Sequence, residues 1–297
     1  MKNLKAELLL IYVAFSWGLG FPLMKMVLEQ NDTFTVLWMR FALSALIFLP
    51  FAVVLFSKIT KRMLVLGGIL GTLLFITFTL FIVGLNYTSS VNTGFLAGLG
   101  IIFVPLILAM INRKLPEKDS LVSSLLGVIG LAVISELSVD GIGLGDSLVI
   151  AGALVSSIHI IVIDRYASQY DSTLLTFIQL VVVAALSTLV AGFNNKLLPT
   201  LFSTELIVTV VVTASLATAI AFWVQTKYQP QTTADRAVLI FSLEPLFAAI
   251  FATLLLQETL PLSAVVGGGL IFLAMIYPVL HKKYLVPASD VEPATSR

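Results

Sequence analysis

A glutamate directly before a proline, Glu244-Pro245, stands inside an apolar run from Ala234 to Leu256. A carboxyl group is costly in such a run, so it calls for a chemical reason. It can hold an ammonium group or carry a proton. Pro245 has no N–H, so the carbonyl one turn earlier loses its donor and adds polar backbone at the same depth. His159 lies in a second apolar run, where an imidazole either lines a path and donates to a carboxylate or bonds a neighbouring helix. Trp17 sits beside Ser16 and Gly18, and a large ring among small residues suits the wall of a cavity for amphipathic or cationic molecules. Trp223 is a second ring, for which packing is the plainer role. Asn92 and Thr93 open another run, and Gln179 lies within one; each can contact a ligand, start a helix or bond between helices. Ser16, Trp17, Asn92, Thr93, His159, Trp223 and Glu244 are thus the candidate binding residues. Arg40, about two turns into its run, reads as a side chain that snorkels outward, with anion holding or carboxylate pairing as alternatives.

Catalysis finds less support. HExxH, GxSxG and the phosphate-binding GxxxxGK[ST] are absent, and His159 has no evident nucleophile partner. Asp164 and Asp235 stand near the ends of their runs, which does not suit a mid-membrane acid pair. There is no cysteine and there are only two histidines, so thiol chemistry and a histidine-rich metal site are excluded. No catalytic residue, metal or cofactor is expected.

The elements that carry these residues are set by composition. Apolar residues make up 59% of the 297, charged residues 11%, and the mean hydropathy is +1.06. A water-soluble domain carries about 25% charged residues. The surrounding solvent is therefore expected to be lipid. A net charge of +1 offers no basic face for nucleic acid.

A membrane helix needs roughly 20 mostly apolar residues. Ten runs qualify, at about Glu7–Leu28, Phe34–Phe56, Leu64–Gly84, Val91–Ile111, Ser120–Ser135, Gly145–Ile163, Ser172–Phe193, Glu205–Gln225, Ala234–Leu256 and Leu262–His281. None alternates as a membrane β-strand would. The first run is too long for a cleaved leader and is read as a span. With the N-terminus inside, fourteen lysines and arginines fall on inner segments, and only Lys25 and Lys196 on outer ones. That bias predicts ten spans with both termini cytoplasmic. The segment Glu136–Asp146 is the expected midpoint, and 282–297 is read as a disordered cytoplasmic tail.

Pro105 precedes Gly127 by 22 residues, as Pro245 precedes Gly267, and the two pairs lie 140 residues apart. That spacing predicts two similar halves, 7–135 and 145–281, of five spans each. An odd number of spans makes the halves inverted, a common construction of membrane transporters. In this register Glu244 falls on Val104. Gly98 and Gly100 loosen the helix ahead of Pro105, so Gly98, Gly100, Pro105 and Pro245 are the candidate hinges.

Phe15-Ser16-Trp17-Gly18, Arg40-Phe41-Ala42, Tyr87-Thr88-Ser89-Ser90 and Phe103-Val104-Pro105 resemble motifs of the drug/metabolite transporter superfamily. Leu243-Glu244-Pro245, Gln257-Glu258 and Gly267–Gly269 resemble the end of its EamA domain, and the likeness covers roughly residues 7–281. The first copy departs from the pattern, with Val104 before its proline and Asn112-Arg113-Lys114 where a Gly-Glu pair is common. The resemblance implies an all-α membrane protein of ten helices in two inverted five-helix repeats. It further implies an exporter of amino acids or related small metabolites in a cell membrane, here a bacterial inner membrane. Its partners would be a small-molecule substrate and the lipid bilayer, with protons as a candidate coupling ion. A receptor or structural membrane protein, or an intramembrane enzyme, are the alternatives.

Overall fold

The computed structural model describes residues 2–115, 118–134, 142–257, 259 and 262–281. The tail 282–297, Glu258, most of Glu136–Asp146 and the prolines of Leu115-Pro116 and Leu260-Pro261 lie outside them. The described residues form helices and turns, with no strand.

In chain order the α-helices are α1 (Lys2–Leu28), α2 (Thr33–Leu55), α3 (Lys61–Leu85), α4 (Ser90–Ala97), α5 (Gly100–Asn112), α6 (Lys118–Ile134) and α7 (Leu144–Tyr166). They continue with α8 (Ser172–Phe193), α9 (Thr204–Ala214), α10 (Ala221–Tyr228), α11 (Ala234–Phe241), α12 (Glu244–Leu256) and α13 (Leu262–Leu280). Side-chain caps set where several begin. Asp32 accepts from the amides of Phe34 and Thr35 to start α2, and Asp171 accepts from Thr173 and Leu174 to start α8. Thr60, Ser89, Ser203 and Thr233 do the same for α3, α4, α9 and α11. Among the described residues, eight helical stretches are long and apolar enough to cross a membrane. Val54, Met110 and Phe193 are at least 79% exposed, as side chains facing lipid would be.

Three of the runs expected to be single helices are interrupted. The fourth breaks at Gly98-Leu99 between α4 and α5, and the ninth at Ser242-Leu243 between α11 and α12. Around both breaks the backbone tightens to i→i+3 bonds, Leu99 N to Leu96 O and Leu243 N to Ile240 O, each 3.1 Å. The eighth run keeps its course but widens into a π-helical stretch, Ser215–Ile220, between α9 and α10. Gly98 caps α4 and Gly100 opens α5, whereas Pro105 lies inside an unbroken α5; Pro245 stands in the first turn of α12.

The breaks give the register of the repeat. α4 and α11 both have 8 residues, α5 and α12 both have 13, and each pair is offset by 144. Both longer helices end on a left-handed residue, Arg113 at φ 50° and Gln257 at φ 54°. The offset of 140 drawn from the proline–glycine pairs is thus one helical turn short. Glu244 corresponds to Gly100 rather than Val104, and Pro105 and Pro245 are not equivalent. The packing follows the same correspondence. α2 packs on α8 and α6 on α13, each on its counterpart; α1 packs on α12 as α7 does on α5, and α4 on α12 as α11 does on α5. Exchange of that kind is what a two-fold relation between halves produces.

Glycines let the broken helices touch. A Cβ on Gly18 of α1 would lie 2.6 Å from Phe247 Cβ and 2.9 Å from the Glu244 carbonyl oxygen. One on Gly94 of α4 would lie 2.5 Å from Ala248 Cβ. These approaches bring α1 and α4 against the first turns of α12, where Glu244 stands.

Candidate functional site

A cavity with about 630 Å³ of space between its walls, mouth included, lies among α1, α2, α3, α7, α10 and the first turn of α12. α1 contributes Trp17, Gly20 and Phe21. α3 contributes Leu74, Thr77, Phe78 and Phe81, at the i, i+3, i+4, i+7 spacing of one helix face. The wall also includes Ser156 and His159 of α7, Phe222 and Gln225 of α10, Arg40 of α2 and Glu244.

Phe222 is the hub of the aromatic wall. Its ring centroid lies 5.4 Å from Trp17, 6.0 Å from Phe78 and 6.3 Å from His159. Phe21 meets Phe81 edge-on at 6.0 Å. Such rings offer an apolar body and negative faces to a cation.

Glu244 is 8% exposed, and among the described residues its carboxyl group has no hydrogen-bond or ion-pair partner. Burial without a partner is costly for a carboxyl unless something else meets it. Three more buried polar atoms on the wall also lack partners: Trp17 Nε1, Thr77 Oγ1 and Gln225 Oε1. Buried polar groups are nearly always hydrogen-bonded, so these four groups on the wall are available to a molecule or water that enters the cavity.

Arg40 does not snorkel. It is 2% exposed and turned inward, its Nε donating to Thr218 Oγ1 at 2.6 Å and its Nη2 to the Ala217 carbonyl at 3.4 Å. Its guanidinium stacks 4.8 Å from the Phe78 centroid. Thr218 in turn donates to the Thr213 carbonyl, and Ser44 Oγ bonds the Ala214 carbonyl at 2.9 Å. α2 thereby meets the Ala217 carbonyl inside the π-helical stretch and the Ala214 carbonyl just before it, where regular i→i+4 pairing is lost. The anchoring needs the guanidinium's shape as well as its charge. Arg40→Lys is therefore expected to cost about 1.5–3 kcal/mol, the scale of a hydrogen bond to a charged group. Thermal unfolding in detergent measures this; an unchanged melting temperature would mean the bonds to Thr218 and Ala217 carry no stability.

His159 is buried and its Nε2 lies 3.0 Å from Gln179 Oε1. Gln179 Nε2 bonds the Leu175 carbonyl, so Oε1 is the acceptor and His159 Nε2 the donor. The neutral ring therefore keeps its lone pair on Nδ1.

Trp17, His159 and Glu244 come together at this cavity. The other sequence candidates do not line it. Ser16 is buried beside it with Oγ unpartnered among the described residues. Asn92 bonds Thr88 Oγ1 at 3.4 Å and Thr93 bonds the Ser89 carbonyl at 2.9 Å, both in the first turn of α4. Trp223 donates to Thr173 Oγ1 at 3.2 Å and packs under Lys227. Gly98 and Gly100 line a smaller hollow that shares Trp17, Ser156 and Glu244 with the main cavity. Sequence reasoning missed Thr77, Gln225 and the phenylalanines of the wall; spacing on α3 was the one available signal for Thr77, Phe78 and Phe81.

A model of the EamA-like transporter family matches residues 4–136 and again 143–279, nearly the whole chain in two copies. The chain belongs to this family. An uncharacterized transporter of Archaeoglobus fulgidus is 32% identical to this EamA-like chain over 276 residues, spanning 93% of the chain and 86% of the relative. One solved crystal structure, described only as that of a protein, matches with a TM-score of 0.75 at 16% identity, covering 96% of this chain and 100% of its own; that likeness shows the fold. The protein is thus a multi-pass membrane transporter built from two EamA-like repeats.

Proposed function

We propose that this EamA-like protein is a secondary transporter that exports amino acids or related small metabolites by alternating access through the cavity at Glu244. The observation that carries the reading is an unpartnered carboxyl group, Glu244, on the wall of one aromatic-lined cavity. An ammonium group finds an acceptor in Glu244, and an apolar side chain finds the phenylalanines. Arg40 is a cation on the same wall for a carboxylate. Energy would come from an ion gradient, with Glu244 as the proton carrier, or from the substrate's own gradient. The breaks at Gly98-Leu99 and Ser242-Leu243 are the joints at which such a bundle would bend, and Gly98, Gly100 and Pro245 stand at or next to them.

The architecture belongs to the same proposal. Ten spans in two inverted five-helix halves, with both termini cytoplasmic, follow from the charge bias, and α6 with α13 supplies the fifth span of each half. The absence of cysteine makes the topology easy to test. A membrane-impermeant maleimide is expected to label exposed Asn194→Cys in intact cells and to label Ser57→Cys only after lysis. The reverse pattern would turn the protein over.

Function itself is tested by growth. Cells overexpressing the protein are expected to tolerate at least one toxic amino-acid analogue that arrests cells expressing an empty vector. Equal sensitivity across a broad panel of analogues would count against export of this class.

A further inference from the structure

The side-chain amide of Gln225 is oriented by a chain that runs away from the cavity. Gln229 is buried, and its Nε2 donates to the Ile160 carbonyl at 2.8 Å. A carbonyl can only accept, so Gln229 must present Nε2 there and turn Oε1 back toward Gln225. Gln225 Nε2 fills that acceptor at 3.0 Å. The remaining atom, Gln225 Oε1, is left as an acceptor, buried and without a donor among the described residues. Gln225 is 1% exposed and lines the cavity that also holds Glu244. A flipped amide would place two amino groups, or two oxygens, against one another somewhere along the chain, so the network permits one arrangement.

We infer that Gln225 is a specificity-determining residue: its Oε1 and the Glu244 carboxylate accept N–H bonds from the substrate's ammonium group, and Gln229 is the positioning residue that keeps Oε1 turned to them. The inference rests on the amino-acid reading of the cavity and adds how the amine is chosen. A neutral acceptor on the same cavity wall as a carboxylate favours a cation that carries N–H donors. A fully methylated ammonium group has the charge but no donor, and it would leave Gln225 Oε1 buried and unmet. An aromatic box alone behaves the other way, since cation–π attraction accommodates quaternary ammonium readily. The two recognition modes therefore give opposite orders for one matched pair of ligands.

The test uses the purified full-length protein, L-phenylalanine and its N,N,N-trimethyl betaine, with quenching of tryptophan fluorescence as the readout, Trp17 standing in the cavity wall. The wild type is expected to bind phenylalanine about tenfold more tightly than the betaine, the scale of one hydrogen bond to a charged group. Gln225→Leu is expected to bring that ratio to about one. Gln229→Leu leaves the acceptor in place and frees its orientation, so it is expected to give an intermediate ratio and guards against a Gln225 variant that fails to fold. A wild-type ratio kept by a folded Gln225→Leu, or a wild type that favours the betaine, overturns the inference while leaving amino-acid transport standing. Failure of the wild type to bind either ligand, together with no exchange of any amino acid across vesicles, overturns both.

Discussion

Glu244→Gln is expected to abolish pH-driven flux while leaving a folded protein that still binds substrate. The substitution keeps the shape of the side chain and removes the site at which a proton can come and go. It also removes the negative charge that an ammonium group would meet, so binding is expected to weaken by about 10- to 100-fold, the equivalent of roughly 1.5–3 kcal/mol. Unfolding is not expected, because no hydrogen bond or ion pair to the Glu244 carboxyl is present among the described residues to be broken. The measurement is substrate-linked acidification in proteoliposomes under an imposed pH gradient. Unchanged pH dependence in the glutamine variant would remove Glu244 from coupling and return it to a structural role at the break before α12.

Gly20→Leu is expected to have an equally large effect on flux through a different cause. Gly20 is on the cavity wall, and a Cβ built there meets nothing within 4 Å. Leucine therefore extends into the cavity rather than into a neighbouring helix. It is also a better helix former than glycine, by about 0.5–1 kcal/mol, so stability should hold or rise. Transport is expected to fall to background while the melting temperature stays at or above that of the wild type. The contrast with Gly18, two residues earlier, is instructive: its Cβ would run into Ala248 N at 2.8 Å, so a substitution there would confuse blockage with loss of packing. Wild-type flux in Gly20→Leu would show that substrate does not pass this wall.

Much of this was legible in the sequence. Apolar run length located the eight membrane-length helical stretches among the described residues, and aspartate, serine and threonine caps mark several of their starts. The breaks were half legible: Pro245 announced one, while the other falls at Gly98-Leu99, ahead of the more conspicuous Pro105. Proline is a poor marker of the register here. Pro245 begins a helix and Pro105 rides inside one, so they mark different places, whereas the caps Ser89 and Thr233 and the left-handed ends Arg113 and Gln257 keep the 144-residue offset.

The site was legible where a residue was out of place in lipid. Trp17, His159 and Glu244 could be found because a bulky ring, an imidazole and a carboxyl each need a reason to be there. Phe21 and Phe222 could not, since 20 phenylalanines are spread along the chain, and Phe78 and Phe81 had only their spacing on α3 to mark them. Arg40 was noticed but sent the wrong way. Its inward course depends on the Ala217 carbonyl and the Thr218 hydroxyl of the π-helical stretch, and nothing in Ser215–Ile220 signals that the helix widens there. Gln225 stood at the end of its apolar run, where a polar residue needs no explanation; only the chain through Gln229 to the Ile160 carbonyl reveals which atom it turns inward.

Counterflow in proteoliposomes tests the central claim most directly. Vesicles loaded with a high concentration of one unlabelled amino acid are diluted into a trace of the same labelled compound, across a panel of amino acids and related amines. A transporter whose Glu244 cavity opens to one side and then the other predicts a transient accumulation of label above its equilibrium level for at least one member. It also predicts loss of that overshoot in Gly20→Leu. Label that never exceeds equilibrium for any member, in vesicles shown to hold folded protein, would contradict the account.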